Sequence, residues 1–283
     1  MMAMMATMTF TACSNDDETG NPMFTPDKGE IVLMMEHPGQ VTRATETAFE
    51  AKDEIGVYVT RADAALQLGG NEVNNELFAY NGTSWTSKRK VYWNDGQHNV
   101  YAYYPYSATV NDVSNYAFSV SEDQSTRDAY SKSDFLWAGK EDVAASSSPV
   151  TMKFAHKMSS VIVRLQKGEN FDGSIPSDTK VFLYSTVTKA NIDLSTGDVA
   201  KDDYAGSSTI GCLKRASDEY EAIVVPQNIT SRRPLVEVVA GGVSYLMEGK
   251  MSYKPGVRHT LTVTLDKNPE KVKIEIGSSI EGW

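Results

Sequence analysis

Histidines near carboxylates or other histidines are the usual means of moving protons or holding a metal near neutral pH. Here His37, His98, His156 and His259 are scattered and show no zinc-ligand spacing such as H-E-x-x-H. The chain has no G-x-S-x-G elbow for a nucleophilic serine, no Walker loop and no G-x-G-x-x-G turn. The acidic pairs Asp53-Glu54 and Glu141-Asp142 stand at expected strand ends, where a solvated face accounts for them. "NDVSN" (111–115) opens like a calcium loop but lacks the remaining oxygen ligands and the closing glutamate. His156 ends "KFAH", a strand-end position where a backbone partner is expected to satisfy the ring. These residues point to no enzyme, no catalytic group, no metal and no cofactor.

Two other residues carry the chemistry of processing. Cys13 follows the short apolar stretch "MMAMMATMTFTA", which reads as a signal-peptide remnant (1–12) without its basic leader, or else as a disordered Met-rich start. Phe10-Thr11-Ala12-Cys13 looks like a bacterial lipobox, although Phe stands where Leu is usual. Its cysteine would become lipidated and N-terminal, tying the protein to the outer membrane. The acidic, turn-rich stretch 13–29, which opens at Cys13, then serves as a tether. With Cys13 lipidated, Cys212 has no disulfide partner and reads as a small core residue.

Arg43 is set among small residues in "VTRATET". It is either a solvated loop charge or the site at which an arginine-specific protease cuts, between Arg43 and Ala44. Just upstream, Ile31, Val32, Leu33, Met34 and Met35 form an apolar run bounded by Glu30 and Glu36, expected to be a first strand buried on both faces. A cut at Arg43 would free that strand and leave an apolar groove that a neighbour's strand could fill. The best donor in this chain is "KVKIEIG", whose Val272, Ile274 and Ile276 face one way, unless it completes its own domain.

The elements that must position these residues are strands. The 283 residues suffice for two domains, and 14 tyrosines favour pleated, half-buried surfaces. A formal net charge of -10 argues against nucleic acid, and the basic runs at Lys88–Lys90 and Arg232–Pro234 read as solvated turns. No apolar run reaches the length of a membrane-spanning helix. Asn81-Gly82 and Asp95-Gly96 each lie between aromatic arms and predict hairpins, and Pro105 should end the strand "VYAYYPYS" or place it at an edge. Tyr101 and Tyr103 share one pleat face and Tyr104 the other, so they form no single sugar-binding platform. "AASSSP" (144–149) is the linker candidate, and beyond it period-two runs such as "HTLTVTL" and "KVKIEIG" recur. The pattern predicts an all-β chain of two antiparallel β-sandwiches, 30–148 and 149–283.

In order along the chain, "TAC" with its acidic tail, "TRAT" before "DEIGVYV", "VYW" before "VYAYYPY", "SEDQSTRDAYSKSDFLWAGK", "VTMKFAHKMSSVIVRL", "YKPGVRHTLTVTL" and terminal Trp283 resemble the fimbrillin-like subunits of type V pili in Bacteroidales. The acidic run after Cys13 also resembles the surface-export signal of Bacteroidales lipoproteins. The resemblance implies a secreted lipoprotein precursor with two tandem transthyretin-like, Greek-key sandwiches. It implies partners among other fimbrial subunits, and polymerisation by donor-strand exchange into fimbriae for adhesion and biofilm formation. The alternative is a monomeric surface lipoprotein or tip adhesin that binds glycan or host protein.

One acyl chain anchors a protein only marginally, whereas two or three hold it stably. Cys13→Ala should therefore abolish incorporation of labelled palmitate and release the precursor from membranes. Unchanged labelling and membrane retention would exclude lipidation at Cys13.

Overall fold

The computed structural model describes residues 29–38, 48–277 and 281–282, so Cys13, Arg43 and Ala44 lie outside the described residues. The N-terminal half contributes β1 (Leu33–Glu36), β2 (Glu54–Arg61), β3 (Val73–Tyr80), β4 (Trp85–Ser87), β5 (Gln97–Tyr104) and β6 (Tyr116–Ser119). A short helix α1 (Arg127–Lys132), β7 (Leu136–Ala144), β8 (Val150–Lys153) and β9 (Ala155–His156) follow. Beyond them come β10 (Ser159–Lys167), β11 (Lys180–Thr186), β12 (Lys189–Ile192), β13 (Val199–Lys201), β14 (Ser208–Gly211) and β15 (Leu213–Lys214). The last strands are β16 (Glu219–Val224), β17 (Gln227–Ala240), β18 (Val243–Tyr253), β19 (Val257–Leu265), β20 (Lys273–Ile276) and β21 (Glu281–Gly282). The fold is all-β.

One six-stranded sheet runs β4-β3-β2-β5-β7-β9, and β1 lies on the opposite layer beside β8. The other sheets run β13-β12-β6, β14-β11-β17-β18 and β15-β16-β10-β19-β20, with β21 also on β19. Most ladders are antiparallel, but β1–β8 and β10–β19 are parallel. Period-two alternation reports which face is wet. It carries no information about the direction of a neighbour brought in from far along the chain.

The six-stranded sheet is buried on both sides, which explains the unbroken burial of β2 and β5. Ile55, Val57, Val59, Val100 and Ala102 meet Ile31, Leu33, Val91, Trp93 and Met152 on one side. Tyr58, Tyr101 and Tyr103 join the larger core of the C-terminal sheets on the other. Tyr104 packs with the first core, on the face opposite Tyr101 and Tyr103 as the alternation predicts.

Several connections cross the middle of the chain. The stretch 144–149 leads directly into β8 and β9, which pair with β1 and β7. β6 pairs with β12. The buried amide of Gln124 receives the Ile223 N–H at 2.8 Å and donates to the Ile223 carbonyl at 2.8 Å, standing in for a strand beside β16. Glu221, fully buried on β16, meets Arg127 of α1 at 3.2 Å and Arg215 at 3.4 Å.

Local chemistry explains the turns. Asn81 Oδ1 accepts from the N–H groups of Thr83 and Ser84, both at 2.8 Å, and Gly82 takes φ 97, giving the expected β3–β4 hairpin. β5 ends at Tyr104, just before Pro105, although it sits inside the sheet. The second expected hairpin does not form. Gly96 turns the chain at φ 110, but Val91–Trp93 crosses to the opposite layer and pairs with residues 29–31, while β5 pairs with β2 and β7. Burial drives this separation, because Val91 and Trp93 enter the core beside Ile31 and Leu33.

Gly56 shows how tightly side chains of neighbouring strands pack across one face of the six-stranded sheet, since Tyr103 is its direct cross-strand partner. A Cβ there would sit 2.2 Å from Tyr103 Cε1 and 2.7 Å from Asn75 Oδ1, the acceptor of the Tyr103 hydroxyl. Gly56→Ala should cost about 1–3 kcal/mol through overpacking. Thermal unfolding should show a midpoint lowered by several degrees, whereas Gly69→Ala, with open space around it, should leave the midpoint unchanged.

Candidate functional site

The first strand is an insertion between two partners. At its start, Ile31 N–H donates to the Val91 carbonyl at 2.8 Å and Trp93 N–H donates to the Gly29 carbonyl at 2.8 Å, an antiparallel match. Further on, Val150 N–H donates to the Val32 carbonyl at 2.9 Å and Phe154 N–H donates to the Glu36 carbonyl at 3.0 Å, a parallel match with β8. Of the five residues expected to form this strand, Ile31 and Leu33 point into the core and are 4% and 3% exposed. Met35 is half-buried against the same core. Met34 is 54% exposed, which corrects the expectation of burial on both faces. Only one layer lies over this strand, so its outward residues meet solvent. Lys90 Nζ reaches Glu30 at 3.2 Å and Lys153 reaches Glu36 at 3.8 Å, pairs whose exposed lysines make them weak ties.

Beyond the strand the chain returns at Phe49. Its ring meets His37 at 4.9 Å, Trp85 at 5.0 Å and Phe154 at 5.4 Å, closing the core beneath the end of β1. Nine residues, 39–47, separate Pro38 from Ala48, and Arg43 is the middle one. Next to the strand, a cleft of about 840 Å³ lies between residues 30–37 and the β3–β4 hairpin, with Phe49, Phe78, Tyr80 and Trp85 on its walls.

A second cavity of about 280 Å³ gathers His37, Tyr104, Asp53, Asp134 and His156. His156 Nδ1 lies 2.8 Å from Asp134 Oδ2, so its partner is a carboxylate instead of the backbone group expected. The helix α1 ends at Lys132 and delivers Asp134 to this point, which no strand-based reading foresees. Burial raises the Asp53 carboxyl above its ordinary value, against the lowering effect of the Glu50 N–H donated to it at 2.7 Å. Burial also pushes the Tyr104 hydroxyl up, with Asp53 adding to it. Cys212 is buried in the larger core, where desolvation first and Glu221 second hold the thiol protonated. Among the described residues no three His, Cys, Asp or Glu side chains stand together as metal ligands.

The possible donor segment belongs to a different sheet from the slot. β20 pairs with β19 at the sheet edge; Val272 and Ile274 pack partly against the larger core, and Ile276 is 47% exposed. The partners of the first strand, Val91–Trp93 and β8, escape sequence reasoning. The only signal for the former is "VYW", two apolar residues around Tyr92, which is 48% exposed.

The model for the fimbrillin-like family matches residues 42–283. A candidate fimbrium subunit, Fim1C of Bacteroides uniformis, is 25% identical over 295 residues, which cover 99% of this chain and 93% of that protein. The crystal structure of a candidate cell-adhesion protein from Bacteroides ovatus superimposes with TM-score 0.72 at 24% identity, over 90% of this chain and 96% of that one. Another, from Bacteroides uniformis, gives 0.70 at 20% identity, over 91% and 99%. These likenesses in structure support the shared fold. The match to the family model spans most of the sequence, and the chain belongs to the fimbrillin-like family.

Proposed function

We propose that this chain is a non-enzymatic structural subunit of cell-surface fimbriae, exported as a lipoprotein through Cys13 and polymerised by donor-strand exchange after cleavage at Arg43. Family membership supports the fimbrial role. The observation that carries the exchange mechanism is the seating of the first strand. It is a separate slat between Val91–Trp93 and β8, continuous with the remainder of the fold only through residues 39–47.

The energetics suit replacement. Ile31 and Leu33 each contribute roughly 1.5–3 kcal/mol by burial, and Met35 somewhat less. While the chain is intact, the strand is held at high effective concentration. A cut at Arg43 removes that advantage, so the strand can leave. The vacated slot would then present the N–H groups of Trp93, Val150 and Phe154 and the carbonyl of Val91 above an apolar floor. Leaving such groups unpaired costs free energy, and an extended segment from another subunit satisfies them by β-augmentation. Val272, Ile274 and Ile276 repeat the spacing of Ile31, Leu33 and Met35. Each subunit would give a strand to one neighbour and accept one from another, and such head-to-tail contacts generate an open filament. The fimbrium would serve adhesion and biofilm formation.

The alternative, a monomeric surface lipoprotein or tip adhesin that binds host protein or glycan, draws on Tyr204, which is fully exposed in the loop between β13 and β14. Exposed aromatics are frequent anchors in interfaces. Treatment with an arginine-specific protease separates the two readings. The wild type should lose residues up to Arg43 and form ladders on unboiled gels, while Arg43→Ala stays full-length and monomeric. Equal oligomerisation of both would reduce Arg43 to a loop charge. A processed protein that stays strictly monomeric and binds glycan would favour the alternative.

A further inference from the structure

The four-stranded sheet β14-β11-β17-β18 ends at β18, whose outer edge pairs with no strand among the described residues. The turn Pro269–Lys271 lies beside β18 but makes no backbone bond to it among the described residues. β17 and β18 are joined by Gly241-Gly242, both at positive φ, a two-residue turn that sets Ala240 and Val243 opposite each other as a hydrogen-bonded pair. Along a strand, the backbone groups of successive residues point to opposite sides. Both register shifts in this ladder place the extra residues on β17, so β18 keeps its alternation from end to end. Val243, Tyr245, Met247 and the odd-numbered residues beyond them therefore bond to β17. Leu246, Glu248, Lys250 and Ser252 turn their N–H and C=O groups to the open edge, and their side chains lie on the exposed face.

The sequence of this edge reads almost the same from either end. Tyr245, Met247, Gly249, Met251 and Tyr253 form one face, and Glu248 and Lys250 flank the central Gly249. We propose that β18 pairs antiparallel with the β18 of a second copy, about a twofold axis at Gly249. The edge itself selects this register. Only pairings of even-numbered with even-numbered residues bring the outward N–H and C=O groups together. Centred on Glu248 or on Lys250, such a pairing would set like charges opposite each other, which destabilises a ladder. Centred on Gly249, it sets Glu248 against Lys250 of the second copy at two places, Met247 against Met251 and Tyr245 against Tyr253. The pairs from Leu246 to Ser252 then supply about eight backbone bonds. A lone charge on an edge usually discourages pairing. Here two opposite charges, two residues apart, favour one partner instead. Glu248 already meets Arg232 at 3.1 Å, but that pair is exposed and weak. A twofold contact closes on itself and gives pairs of subunits. β18 and the first strand belong to different sheets, so the pairing does not involve the first-strand slot. Within the fimbrium proposed above, the same contact would join two filaments side by side.

The test uses full-length Arg43→Ala under reducing conditions, so that neither a cut at Arg43 nor a disulfide through Cys13 can join chains. Sedimentation velocity should show a monomer–dimer equilibrium. Lys250→Glu and Glu248→Lys in that background should each weaken it about tenfold, since both ion pairs of the dimer become like-charge pairs. Mixed in equal amounts, the two variants should dimerise about as well as the parent, because every contact between positions 248 and 250 then joins opposite charges. In hydrogen exchange, the N–H groups of Leu246, Glu248, Lys250 and Ser252 should gain protection as concentration rises, while those of Tyr245 and Met247 stay protected throughout. A parent that remains monomeric at every concentration would overturn the proposal. So would single variants that dimerise as well as the parent, or a mixture that stays as weak as its components. Each of these results would leave exchange at the first strand standing.

Discussion

The parallel ladder between β1 and β8, with the antiparallel match to Val91–Trp93 on the other side, is the contact on which the N-terminal layer depends. Without it, three short pieces of chain would lie over the six-stranded sheet with unpaired backbone above an apolar floor. With it, Ile31 and Leu33 complete a core that already holds Ile55, Phe78, Trp93 and Met152. The strand contributes by position more than by area. Its outward residues are exposed, its ion pairs are weak, and its inward residues are two or three. An element that is needed for closure yet modestly bound is one that a better-placed segment can replace.

The rest of the molecule is built more firmly. The six-stranded sheet is shared by two cores, β6 crosses to β12, and Gln124 and Glu221 tie the segment around α1 to β16. A pull applied at the first-strand slot and at the C-terminal edge would pass through these crossings. Loss of the first strand opens one face of the smaller core and leaves the larger core untouched. Exchange at the slot therefore need not unfold the subunit.

Much of this was legible in the sequence, because period-two alternation, Asn81-Gly82 and the bounded run Ile31–Met35 act locally. The alternation also separated Tyr104 from Tyr101 and Tyr103. Long-range partnership was not legible. Nothing in "VTMK" reveals that β8 lies parallel to β1, more than a hundred residues earlier. Asp95-Gly96 marked a real turn, yet the arms before and after it went to different sheets, because burial of Val91 and Trp93 outweighed the local hairpin preference. His156 found Asp134 through a six-residue helix that propensity alone does not announce.

The central claim is that the first strand is a replaceable part of the fold. The most direct measurement is residue-resolved hydrogen exchange at the N–H groups of Trp93, Val150 and Phe154, each of which donates to that strand. These three should be protected in the intact chain, exchange rapidly in the cleaved monomer once its first strand has left, and become protected again in the polymer. Protection that persists in the cleaved monomer, or that fails to return on polymerisation, would contradict the account.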